Sequence, residues 1–174
     1  MRNTWKAIDS IRVVRDYDDK PIEDRALRRI LNAGRRAGSS KNLQRWHFIV
    51  VRDRERLKQL SEVGQFTQPV AGAAFAIALV TPDPRANDAP LSVVFDVGRA
   101  AQNMVLAAWE LGIGSVPVTV YNHTLARDLL SFPDDHHCEY ILCFGYPADP
   151  SQLSAQKKAG GRVRLETIVH EERW

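Results

Sequence analysis

Apolar positions recur at helical spacing between residues 22 and 37. Leu27, Ile30, Leu31 and Gly34 share one face, and Arg25, Arg28, Arg29, Arg35 and Arg36 fall largely on the others, the pattern of an amphipathic helix with a solvated basic side. Apolar runs at 46–52 and 73–80 read as strands, with a short helix at 54–63 between them that Asp53 is placed to N-cap. Three prolines between Thr81 and Pro90 mark a loop. Residues 91–111 then form the longest helical stretch. From Val93 onward it is apolar on most sides, through Val94, Phe95, Val97, Ala100, Ala101, Met104, Val105 and Trp109. A helix of that kind must be covered over most of its circumference, and in a chain this small a second subunit is a natural cover. Gly112 stops the helix. Strands at 116–121 and 139–145 flank a short helix starting near Asn122, and the tail turns strand-like from Arg162 to Val169. Helices alternate with strands without repeat or linker, which predicts one α+β layer domain over residues 1–174.

Composition changes this picture little. The chain is 44% apolar and 26% charged with a net charge of +3, ordinary for a soluble globular protein long enough to bury a core. Its arginines are dispersed, so the sequence carries no nucleic-acid footprint, only a weak preference for anionic ligands. No run approaches the roughly 18 apolar residues of a membrane span, and residues 1–6 lack the apolar core of a secretion signal. The expectation is a cytoplasmic protein. Cys138 and Cys143 lie five apart in an apolar run, a spacing that sends strand side chains to opposite faces, so they are expected neither to pair nor to share a metal. His136 and His137 fit no zinc spacing and read as a polar turn entering the strand.

The stretch Ala37-Gly38-Ser39-Ser40-Lys41-Asn42-Leu43-Gln44-Arg45-Trp46 joins helix to strand through small and amide side chains, a loop suited to bonding a flat polar heterocycle. It resembles the Pro-Ser-x-x-Asn-x-Gln-Pro-Trp signature of the nitroreductase-like family of FMN-dependent oxidoreductases. Ser39, Asn42, Gln44 and Trp46 match, while Gly38 and Arg45 stand in place of the prolines. Arg12, Arg15 and Tyr17 match the family's Arg-Arg-Ser-x-Arg-x-Phe/Tyr motif, from which Ile11 and Val13 depart. Leu111-Gly112-Ile113-Gly114-Ser115 resembles the run after the family's central helix, and Gly145-Tyr146-Pro147 the close of its last core strand. Arg162 to Glu166 resembles the C-terminal Arg-x-Pro-Leu-Glu segment, with Arg164 where proline is usual. Five motifs in the right order span nearly the whole chain.

The resemblance implies a central, mainly antiparallel sheet flanked by helices, and a homodimer that exchanges its C-terminal segment and holds FMN at the subunit interface. Arg12, Val13, Arg162 and Arg164 fall at the cofactor phosphate. Arginine forks suit that dianion, but Ile11 and Val13 replace two usual ligands, so the phosphate site must be rebuilt. Arg15 falls near the pyrimidine end, where a fixed cation favours the reduced flavin. Ser39, Ser40 and Asn42 reach the neighbouring subunit's flavin, unless the serines only cap the preceding helix. Gln44 supports the loop, and Trp46 reads as core. Gln65, with Gln68, is placed to meet the pyrimidine ring or simply solvates a helix end. Pro117, Val118 and Thr119 pass along one face of the ring. No catalytic side chain is expected, since the cofactor carries the reactivity. NAD(P)H would supply hydride and a small nitroaromatic, quinone or other conjugated acceptor would remove it in a ping-pong cycle. The short 81–90 link implies a reduced lid. A flavin carrier without NAD(P)H turnover is the other reading.

Overall fold

The computed structural model describes residues 4–87, 90–154 and 161–174. Helices α1 (Thr4–Ser10) and α2 (Asp24–Arg35) precede strand β1 (His47–Val51); α3 (Arg54–Leu60) and the single turn α4 (Pro69–Gly72) lead into β2 (Phe75–Pro82). The long α5 (Ser92–Glu110) is followed by β3 (Gly114–Thr119), α6 (His123–Leu130), β4 (His136–Gly145) and the single turn α7 (Leu165–Ile168). The four strands form one sheet in the order β1-β2-β4-β3, every neighbouring pair antiparallel. A parallel bridge between Val13 and Ser115 extends it by one short segment.

The sheet is buried on both faces, which is why β2 reads as an unbroken apolar run rather than an alternating one. Phe75, Ile77 and Leu79 point to one side and pack with Leu27 and Ile30 of α2 and Met104 and Ala108 of α5. Ala76, Ala78 and Val80 point to the other, against Leu57 and Leu60 of α3 and Ala126 and Leu130 of α6. Helix ends obey local chemistry: Asp53 accepts the Arg56 N–H and Asn122 the Leu125 N–H. Gly112 takes φ of 75° just beyond α5, the left-handed turn that glycine makes without strain.

The N-terminal motif is pressed onto this sheet by two close approaches. A Cβ on Gly114 would stand 2.6 Å from the Val14 side chain, and one on Gly145 would stand 2.5 Å from the Tyr17 ring. Tyr17 Oη donates to the carbonyl of Val14 at 2.8 Å. The glycines of the sequence motifs are therefore where the sheet admits the Val14 and Tyr17 side chains, and Tyr17 anchors the segment that carries Arg12 and Arg15.

Four expectations change. The run Arg162–Val169 is not a strand: its core is the helical turn α7, its apolar side chains are exposed, and it has no sheet partner among the described residues. His136 and His137 lie inside β4, not in a turn before it. The register slips between Leu79 and Val80, which pair with Tyr140 and Cys138 and leave Glu139 as the extra residue of a bulge. That extra residue reverses the alternation, so Cys138 and Cys143 share one face and one core cluster; both remain free thiols. Finally, α1 and α4 carry no strong periodic signal and were not anticipated, and β2 runs two residues into the expected loop.

Candidate functional site

Helix α5 and the N-terminal segment enclose a cleft of about 340 Å³ over β3 and β4. Arg12, Val13, Pro117 and Arg162 meet in it, together with Gly98 and Gln102 of α5. The cleft continues past Gly98, Ala101, Pro117 and Leu142 into an apolar space of about 430 Å³ whose far end holds Arg85, His137, Glu139 and Tyr140. Both volumes suit small-molecule sites, which run roughly 300–1,000 Å³.

Each wall has a local reason. Val14 N–H donates to the Ser115 carbonyl at 3.0 Å, which sets Arg12 and Val13 beside the start of β3. Pro117 is the exposed residue of a strand whose Val116 and Val118 are buried in the opposite core. Only the backbone of Val118 can therefore face a ligand. Gly98 sits mid-helix, where glycine costs about 1 kcal/mol relative to alanine, yet a Cβ there would meet no atom within 4 Å. The position is kept flat although no described residue fills the space.

Arg15 lines a separate pocket of about 480 Å³ with Phe66, Gln68 and Pro69. Gln68 Nε2 donates to the Gln65 carbonyl at 2.8 Å, so Gln68 also braces this turn. Gln65 faces the solvent side with Tyr121 and His123. Gly64 ties this turn to the sheet: a Cβ there would stand 2.8 Å from the Thr119 carbonyl oxygen, so Gln65 and Thr119 are brought close together. Arg164 is exposed and paired with Glu166 at 3.3 Å; it lines neither cleft.

The loop carrying Ser39, Ser40 and Asn42 docks elsewhere on α5. Ser40 N–H donates to buried Asp96 at 2.8 Å, and Gly38 packs on the Arg99 guanidinium. Asp96 and Gly98 are two residues apart, about 200° around a helix of 3.6 residues per turn. The loop and the cleft therefore occupy different faces of α5. Ser39 Oγ accepts the Gln44 N–H at 3.0 Å, and the Gln44 amide donates to Asn42 Oδ1 at 3.1 Å, so Ser39 braces the loop rather than capping the preceding helix. Lys41, Asn42 and Gln44 all have positive φ (51°, 56° and 47°), an unusual density of left-handed non-glycine residues of the kind that marks ligand-shaped loops. Trp46 is buried, as its position entering β1 suggests.

Gly98, Gln102 and Ser115 are cleft residues that sequence reasoning did not single out. Gly98 alone carried a signal, being a glycine within a long helical pattern. Burial pushes the thiols of Cys138 and Cys143 up to about 12, which leaves both without nucleophilic character at neutral pH.

Comparison with known proteins identifies the family. The Nitroreductase family profile matches residues 8–95 and 65–146. A protein of Archaeoglobus fulgidus provisionally named NADH dehydrogenase/NAD(P)H nitroreductase is 38% identical over the whole of both chains. The FMN reductase [NAD(P)H] of Bacillus subtilis is 30% identical over 99% of this chain and 74% of its own. Among solved structures, an FMN-dependent nitroreductase from Clostridium difficile R20291 superposes with a TM-score of 0.83 at 28% identity, over 97% of this chain and 98% of that one. The chain belongs to the nitroreductase family.

Proposed function

We infer that this protein is an NAD(P)H-dependent FMN oxidoreductase that passes electrons to an oxidising acceptor, a nitroaromatic, quinone or other conjugated compound. The observation that carries the reading is the single cleft in which Arg12, Val13, Pro117 and Arg162 meet beside the open Gly98. Its chemistry fits the cofactor. Arg12 and Arg162 offer charged forks for a phosphate in place of the ligands lost at Ile11 and Val13. Gly98, Ala101, Pro117 and Leu142 offer a flat apolar bed for a ring system. Arg15, three residues beyond Arg12, offers a fixed positive charge for the pyrimidine end. When bound, FMN supplies the hydride chemistry, and the residues around it bind, orient and exclude water. Donor and acceptor use one site in turn, which makes the kinetics ping-pong.

The site is completed by a second copy of the chain. On one protomer the Ser39–Asn42 loop faces away from the cleft, α5 exposes Leu91, Val94 and Phe95, and the tail exposes Val163, Leu165 and Ile168. Apolar surface of this extent calls for a partner, and a homodimer with exchanged tails covers all three. No described helix is long and apolar enough to cross a membrane. With only a short link between β2 and α5, the cleft admits bulky acceptors; similar rates with small and large quinones support this, and strict preference for small ones argues against it.

A visible spectrum of the purified protein, before and after anaerobic NADPH or NADH, tests the reading. Flavin bands that bleach are expected. Bands that do not bleach favour a flavin carrier, the alternative that the departures at Ile11 and Val13 motivate. Absence of flavin after incubation with FMN overturns both.

A further inference from the structure

At the apolar end of the cleft, His137 and Glu139 line the wall and meet a histidine from α6. His123 is the first residue of α6, while His137 and Glu139 lie either side of Cys138 at the bulge of β4. One ligand atom from each lies within 4.8 Å of the others. Glu139 Oε2 is 2.7 Å from His137 Nε2 and 4.0 Å from His123 Nε2. A tetrahedral zinc-type ion with ligands at ~2.0–2.2 Å separates its donors by roughly 3.3 Å, and the observed separations bracket that spacing. The geometry points to a divalent transition-metal site of the zinc class, formed by His123, His137 and Glu139, with a fourth position open to solvent or a ligand.

The surroundings of the two imidazoles decide how such a site behaves. His123 Nδ1 lies 3.3 Å from the Cys138 carbonyl oxygen. Donation to that carbonyl puts the proton on Nδ1 and leaves the Nε2 lone pair directed at Glu139, the arrangement common among metal-ligating histidines. His137 is held the other way. Its Nδ1 lies 3.0 Å from Arg85 Nη2, and a guanidinium can only donate. Nδ1 therefore accepts, and Nε2 carries the proton it donates to Glu139. An ion at Nε2 must displace that proton to Nδ1, where it meets the Arg85 donor head on. Arg85 is thus a built-in competitor of the metal, steadied by its two-pronged pairing with Asp83. Since Arg85, His137 and Glu139 all line the apolar end of the cleft, loading the ion and releasing Arg85 would reshape the mouth through which an acceptor enters.

His137 and Glu139 stand two residues apart on the strand, the spacing that sets side chains beside each other on one face, with Glu139 half-exposed and His137 buried. The site is independent of the flavin reading, and its test does not use activity.

Cobalt(II) is the probe, added to the protein as purified and followed by its visible ligand-field bands, with zinc(II) as competitor. One equivalent per chain is expected, displaced by zinc. His123→Gln and Glu139→Gln, both at accessible positions, should each weaken cobalt binding at least tenfold while thermal unfolding of the ion-free protein stays unchanged. Arg85→Ala should tighten it, an effect of opposite sign that a merely destabilised fold would not produce. No saturable cobalt spectrum, or binding that survives both ligand substitutions, overturns the assignment. Tighter binding that fails to appear in Arg85→Ala overturns the competition.

Discussion

Four arginines of the two terminal motifs end in three different places. Arg12 and Arg162 converge on one cleft although 150 residues separate them, Arg15 lines a separate pocket, and Arg164 is turned to solvent against Glu166. Hydrogen bonds to a charged partner are worth about 1.5–3 kcal/mol. Arg12→Ala and Arg162→Ala should therefore each weaken FMN binding roughly 10- to 100-fold by that arithmetic, measured by fluorescence titration of the apoprotein, and Arg164→Ala should weaken it least. Equal losses at all three positions would refute the assignment of Arg164 to the surface. At Cys143, burial holds the thiol at about 12 against an ordinary 9.0. The folded chain keeps that proton where the unfolded one releases it, so its contribution is complete below pH 9 and is lost as pH climbs from about 9 to about 12. Tyr17, whose hydroxyl is pushed up chiefly by burial, acts in the same direction. Cys143→Ala should flatten the alkaline part of a stability-versus-pH curve; an unchanged slope would show that the thiol is not linked to folding.

At the scale of an element, α5 is the piece on which everything else is arranged. One side packs Met104 against Gly34 of α2, another holds the Ser40 loop through Asp96, and a third lines the cleft through Gly98, Ala101 and Gln102. Its uniformly apolar sequence was legible as a helix needing cover on most sides. Which side met which partner was not, because periodicity gives faces without naming their neighbours. Gly98 offers a clean separation of roles. Gly98→Ala should raise thermal stability by about 0.5–1 kcal/mol, since alanine is the better helix former and has room. Gly98→Leu should keep the fold and lose bound flavin. A Gly98→Leu protein that retains FMN normally would remove the cleft from consideration as the cofactor site. The β4 bulge is the opposite case. A single skipped residue is invisible to a period-two reading, and it alone moved both cysteines to one face.

For the whole molecule, the missing information is the partner. The tail after Arg162 reads as a strand because Val163, Leu165, Ile168 and Val169 are apolar, but within one chain it forms a helical turn with those side chains exposed. Removing residues from 165 onward leaves the described core residues untouched, since none of the tail contributes to it. The truncated chain should stay folded by circular dichroism and dissociate to monomer at micromolar concentration by analytical ultracentrifugation. A dimer of undiminished affinity would show that the tail is no exchanged arm.

The sequence by itself determined what depends on neighbours along the chain: the helices and strands with strong apolar periodicity, the cap at Asp53, the helix start near Asn122, the stop at Gly112, and the order of motifs that marks the family. Tertiary structure alone decided what depends on residues far apart in the chain. It chose the cleft that joins Arg12 to Arg162, set Gly114 and Gly145 as close approaches for Val14 and Tyr17, and slipped the register at Glu139. It also brought His123 of α6 to His137 and Glu139 of β4. Local preferences act over one or two turns, whereas a binding site is made wherever packing of the sheet and α5 brings distant side chains together.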